Sequence, residues 1–87
     1  MPTLQQRIQK ILTTKLKGCV TDLETLDNGD VCGHVVSSEF RRKSYQQRRN
    51  RIKKVLEEHL SANQMLKVST LLTYTPEEWS AVTEESL

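Results

Sequence analysis

Apolar residues in "TLQQRIQKILTTKLKG" fall at Leu4, Ile8, Ile11, Leu12 and Leu16. That three-and-four spacing predicts an amphipathic helix, opened by a Thr3–Gln6 capping box and stopped at Gly18. The period then shortens. Cys19–Leu26 and Val31–Ser37 read as two short strands joined through "DNGD", where Asn28-Gly29 predicts a type I′ turn with both central residues at positive φ. In the second strand Cys32, His34 and Val36 share one face, and Val31, Gly33 and Val35 the other. Helical spacing returns after Ser44, which with Gln47 has capping-box spacing. Tyr45, Ile52, Val55, Leu56 and Leu60 trace one face of a helix over Ser44–Ser61, with Tyr45 at the centre of its buried side. "MLKVSTLLTY", Met65–Tyr74, is a third strand, and the helix before it predicts a right-handed crossover. "TPEEW" opens a last helix, with Thr75 as cap, Pro76 in first position, Glu78 three after the cap and Trp79 turned inward. The acidic tail after Val82 is expected to fray.

The expected architecture is therefore an α/β (α+β) domain of order α-β-β-α-β-α, a three-stranded mixed sheet with helices packed on one face. At 87 residues the chain reads as a single domain over 1–87. A domain of this size buries ~60–65% of the surface that its unfolded chain exposes, enough for one thin core. No repeat, linker or low-complexity segment interrupts it.

Charge changes this picture locally. Eight of the thirteen basic residues lie between Arg41 and Lys54; the rest of the chain holds five basic residues against eleven acidic ones. A mild net charge of +2 does not by itself mark a polyanion binder, but its concentration in one stretch makes a positive ridge. Arg41, Arg42 and Lys43 are expected on an exposed turn, Arg48 and Arg49 on the flanks of the buried helical face, and Arg51, Lys53 and Lys54 sideways or outward. Glu57 and Glu58 follow the lysines at ion-pair spacing.

No apolar run reaches the ~20 residues of a membrane span, and the start of the chain shows no signal-peptide core. A soluble protein is expected, placed in the cytoplasm, with nucleus or mitochondrion as alternatives. Two cysteines, Cys19 and Cys32, are too few for a disulfide framework and match no paired zinc spacing, which favours a reducing compartment. No Ser-His-Asp order, glycine-rich phosphate loop or nucleophilic motif appears, so a non-enzymatic role is expected.

Several positions together resemble the BolA family of small proteins: Val35, Val36 and Ser37 at a strand end, Phe40, Lys43-Ser44, Gln47-Arg48, and "YTPEEW" from Tyr74 to Trp79. The resemblance runs from the first strand to Trp79. It implies a fold similar to a type II KH domain, no enzyme activity, and two themes. One is docking to a monothiol glutaredoxin around a shared two-iron two-sulfur cluster, with no cofactor bound by the chain alone. The other is nucleic-acid contact. Departures from the family pattern bear on both. Arg42 stands where the family usually has glycine, and Arg48-Arg49-Asn50 where it usually has Arg-His-Arg. Lys67 takes the place of the histidine at the last strand's start, and a protonated lysine has no lone pair for iron. The hairpin loop "LDNGD" holds neither Cys nor His.

These readings fix the candidate residues. Arg41, Arg42, Lys43, Arg48, Arg49, Arg51 and Lys67 form the expected partner- or polyanion-binding surface of a chain that is monomeric when alone. Cys32 and His34, two apart on a strand, are the candidate replacement metal ligands; the plainer reading makes them a small core residue and a partly buried ring. Cys19 reads as structural, and His59 as a helix-end residue whose charged form the helix dipole favours. Against nucleic-acid binding stands the missing Gly-x-x-Gly loop, with Tyr45, the one aromatic nearby, assigned to the core.

Overall fold

A computed structural model of the chain describes residues 3–85, and the side chains of 3–83. Its elements are α1 (Leu4–Lys15), β1 (Val20–Thr25), β2 (Val31–Val36), the single 3-10 turn Ser38–Phe40, α2 (Tyr45–Glu57), α3 (Ala62–Met65), β3 (Val68–Tyr74) and α4 (Pro76–Glu85). The expected order is present, with α3 added. β2 is central, antiparallel to β1 and parallel to β3, in the order β1-β2-β3. The mixed sheet follows from the connections: a short hairpin must return antiparallel, and α2 with α3 carries the chain back for a parallel strand.

Local chemistry sets the helix starts. Thr3 with Gln6, and Ser44 with Gln47, form the reciprocal bonds of capping boxes. Ser61 with Gln64 does the same for α3, so the segment that spacing assigned to the start of the third strand is helical up to Met65. α1 ends earlier than the expected stop: Leu16 is its extended C-cap, and Gly18 lies in the turn that follows, at φ 55°. The hairpin differs from expectation. Gly29 alone has positive φ, at 89°, and the Leu26 amide donates to the Asp30 carbonyl at 2.7 Å. The connection is thus the three residues Asp27–Gly29; with three residues to turn in, only the last needs the left-handed region. α4 continues through Glu85, beyond the Val82 limit set by its acidic tail; Ser86 and Leu87 lie outside the described residues.

The core gathers Ile8, Leu12 and Leu16 of the first helical unit, Leu23, Val31 and Val35 of the sheet, Phe40, Ile52, Val55 and Leu56 of α2, Leu60 and Leu71. Val31 and Val35 share a face, as expected, and it is this face that α1 and α2 cover, so Cys32, read as a core residue, lies on the other side. Trp79 of α4 takes the other face: its ring stacks on His34 with centroids 4.1 Å apart. Trp79 is only half-buried, and α4 contributes nothing to the core cluster among the described residues.

The buried face of α2 carries Ile52, Val55 and Leu56 as expected, but its first turn departs from expectation. Tyr45 is 52% exposed, while the Arg48 side chain is 12% exposed. The reason is positional. Tyr45 is the first helical residue and lies beyond the packed turn, whereas Arg48 shares a stripe with Ile52, Val55 and Leu56. A guanidinium is tolerated there because it is bonded: Arg48 Nε donates to the Lys43 carbonyl at 3.1 Å, and its guanidinium carbon lies 5.9 Å from the Phe40 ring centroid.

Candidate functional site

The basic ridge divides into paired and uncompensated cations. Arg41 bonds Glu77 with both Nε and Nη2, and Arg48 bonds Glu78 at 2.7 and 3.4 Å. Arg51 reaches Glu39 at 3.5 Å, and Lys53 reaches Glu57 at 3.9 Å, the pairing expected from their spacing. Arg42, Lys43, Arg49, Lys54 and Lys67 have no acidic partner among the described residues.

Arg42 is the one non-glycine residue among those described with positive φ, 62°. The left-handed region costs an L-residue roughly 1–2 kcal/mol relative to the right-handed one. The turn therefore keeps a conformation suited to glycine and adds a guanidinium, on a loop where Arg41 and Arg42 are both exposed. Ser37 braces the near end of this loop: fully buried, its hydroxyl donates to the Lys17 carbonyl at 2.8 Å and accepts from the Glu39 amide at 3.1 Å.

A groove of about 940 Å³ runs between α2 and β3. One wall carries Tyr45, Arg49, Asn50, Lys53 and the Glu57 that Lys53 pairs with; Leu66, Val68, Ser69 and Thr70 form the other, with Ile52, Leu56 and Leu71 beneath. Being last in the sheet, β3 presents its outer backbone edge to this groove; the Arg48 Nη1 contact with the Thr73 carbonyl at 3.4 Å shows which way that edge points. Arg49 places its guanidinium 5.8 Å from the Tyr45 ring centroid. The exposed Tyr45 face, assigned to the core on sequence grounds, is thus a stacking surface with a cation beside it.

Lys67 does not join the Arg41–Lys43 end. It precedes β3 and lies by the hairpin, where its ammonium would stand 4.0 Å from a Cβ on Gly29. A seven-residue strand, ~20 Å long, separates the two ends.

Cys32 and His34 occupy the sheet face opposite α1 and α2, and both are half-buried. Cys32 is therefore outside the core cluster, its Sγ directed at Glu24 Oε1, 4.0 Å away. His34 lies under Trp79, with Tyr74 edge-on at 6.2 Å. Among the described residues no group of three or more His, Cys, Asp or Glu could hold a metal ion. The place where the resemblance puts cluster ligands, the hairpin loop and the start of β3, offers Lys67, Asn28 and carboxylates. That donor set does not suit a two-iron two-sulfur cluster, which takes thiolate or imidazole.

Cys19 packs against the core, and burial, assisted by the Glu39 charge, pushes its thiol up to about 11, so it is a packing residue rather than a reactive one. His59 receives the Arg7 guanidinium on its carbonyl at 3.4 Å. No helix among the described residues is long and apolar enough to cross a membrane.

Two features escaped sequence reasoning: the groove, and the pairing of Arg41 and Arg48 with consecutive glutamates. The Ser61–Gln64 spacing, identical to that of Ser44–Gln47, carried a signal for α3 and hence for the late start of β3. Nothing local signals the glutamate pairs, since their partners stand thirty or more positions away. No protein-family profile matches the chain, and no curated protein matches it.

Proposed function

We propose that this domain is a non-enzymatic binding module, built like the BolA proteins it resembles, whose α2–β3 groove takes an extended polyanion, with single-stranded nucleic acid as the ligand class. The carrying observation is Arg49, in a groove bounded by the outer edge of β3, with Arg42 and Lys43 in the turn that precedes α2, all three without an acidic partner among the described residues. Phosphates follow these cations, and the groove admits one strand. Tyr45 gives a base a surface to stack on, a contact worth ~1–3 kcal/mol that tolerates any sequence. With three or four phosphates engaged, the log–log salt slope on a single strand is about −2 to −3.

The test is anisotropy of a labelled single-stranded oligonucleotide titrated at 50 and 200 mM salt, together with thermal unfolding. Arg42→Gly separates stability from binding. Relief of the left-handed strain, less glycine's entropic cost, raises stability by ~0.5–1 kcal/mol, while loss of the charge weakens binding and shortens the salt slope by about one. Arg49→Glu weakens binding further. Equal affinity in wild type and Arg49→Glu overturns the proposal.

A second reading follows the resemblance to glutaredoxin-binding proteins. Leu66, 79% exposed beside Lys67 and close to the hairpin, favours it as an apolar anchor for a protein partner. Such docking would not rest on a shared cluster. Its check is co-elution with a monothiol glutaredoxin, lost in Leu66→Glu.

A further inference from the structure

Two arginines of the ridge are held by neighbouring carboxylates of a single element. Glu77 and Glu78 open α4, and each presents two oxygens to one guanidinium, Arg41 and Arg48 respectively. Carboxylate and phosphate satisfy the same guanidinium fork, so these glutamates stand where phosphate oxygens would stand. We propose that the Glu77–Glu78 turn is an internal pseudo-ligand: α4 acts as an autoinhibitory latch that occupies Arg41 and Arg48 until an incoming phosphate backbone displaces it. This inference rests on the polyanion reading above and adds its regulation.

The two pairs differ in a way that suits a latch. Arg48 is held independently of Glu78, through the Lys43 and Thr73 carbonyls and the Phe40 ring, and so stays in place when the carboxylate leaves. Arg41 and Glu77 are both more than half exposed, which makes their bond weak and open to exchange. Displacement does not open the core, because α4 supplies none of its residues among those described. Beyond Trp79 the described side chains of α4, Ser80–Thr83, are exposed. The first turn of the helix is fixed by the Thr75–Glu78 capping box and by Trp79 against His34 and Tyr74.

Trp79 is the only tryptophan, so its emission reports whether α4 is seated on His34. The experiment compares the full chain with E77Q/E78Q and with D27N/E58Q. The second variant removes the same charge from exposed positions in the hairpin loop and after α2, away from α4 and its seat, which controls for net charge. Glutamine at 78 keeps the capping-box bond, so α4 still folds. At 100 mM salt E77Q/E78Q should bind a single-stranded oligonucleotide about three- to tenfold more tightly than wild type, the equivalent of two ion pairs removed from competition. D27N/E58Q should gain clearly less, and oligonucleotide titrated into wild type should shift Trp79 emission in step with binding. Equal gains in the two variants, or wild-type binding with unchanged Trp79 emission, overturn the latch while the polyanion reading stands. Absence of binding by every form overturns both.

Discussion

The two faces of this sheet are made by alternate residues of the same three strands, yet they do different work. On one face Leu23, Val31, Val35 and Leu71 lie beneath α1 and α2 and are closed to water. On the other, Asp22 stands beside His34 across β1 and β2, Leu72 is 44% exposed, and Trp79 of α4 lies over His34. Each fully buried aliphatic side chain on the first face contributes roughly 1.5–3 kcal/mol. On the second face Val36 is the one buried strand aliphatic among the described residues, and the contacts of α4 are ring pairs and ion pairs, each worth about 1 kcal/mol. Stability is thus concentrated on one face, and the other is left to an element that can move without unfolding the domain.

The largest expected effect comes where the faces meet in the backbone. Gly33 has φ 144°, and a Cβ there would stand 2.1 Å from the Asp22 carbonyl oxygen and 2.9 Å from the Leu23 Cα. No rotamer change relieves a backbone clash, so Gly33→Ala must part β1 from β2. We expect a loss of ~3 kcal/mol or more in urea unfolding; a loss under ~1 kcal/mol would mean that the hairpin adjusts freely.

A sharper comparison uses consecutive residues of β2. Val35→Ala removes two methyl groups from a fully buried site and should cost about 2–3 kcal/mol while leaving Trp79 emission unchanged. His34→Ala removes the ring under Trp79 and should cost only about 0.5–1.5 kcal/mol, with a clear emission shift. Were the two to exchange costs, α4 would be part of the core and not a latch.

The same contrast explains what was legible in the sequence. Period and caps are local, so Ile8, Leu12, Ile52, Val55 and Leu56, the Thr3 and Ser44 boxes, and the alternation of Val31 and Val35 could all be read from neighbours a few positions apart. The exposure of Tyr45 and the burial of Arg48 could not. Tyr45 is apolar enough to be assigned inward, and only the position of Phe40 and of the Lys43 and Thr73 carbonyls makes Arg48 the residue that fits. The charge of the ridge was legible as composition, but its division was not. Whether an arginine is paired depends on glutamates of α4 brought close by the sheet, and that proximity leaves no trace in spacing.

The smallest effect concerns the seating of α4 as a function of pH. Hydrogen bonding from Arg41 holds the Glu77 carboxyl below its ordinary value, and bonding from Arg48, with the Thr75 amide, does the same for Glu78. A folded pKa below the unfolded one means that seating is fully favoured above the ordinary carboxylate range and is lost as pH falls through the lowered values. The part of the Trp79 emission change that depends on Glu77 and Glu78, read as the difference between wild type and E77Q/E78Q, should therefore appear only below about pH 4.5, the ordinary glutamate value. E77Q/E78Q has no carboxyl to titrate at those positions and so lacks that step. The far-UV signal of α1 and α2 should outlast the step in wild type, because the buried face carries no charge that this titration removes. If emission and helical signal fall together, α4 does not separate from the core, and the division of labour between the two faces fails.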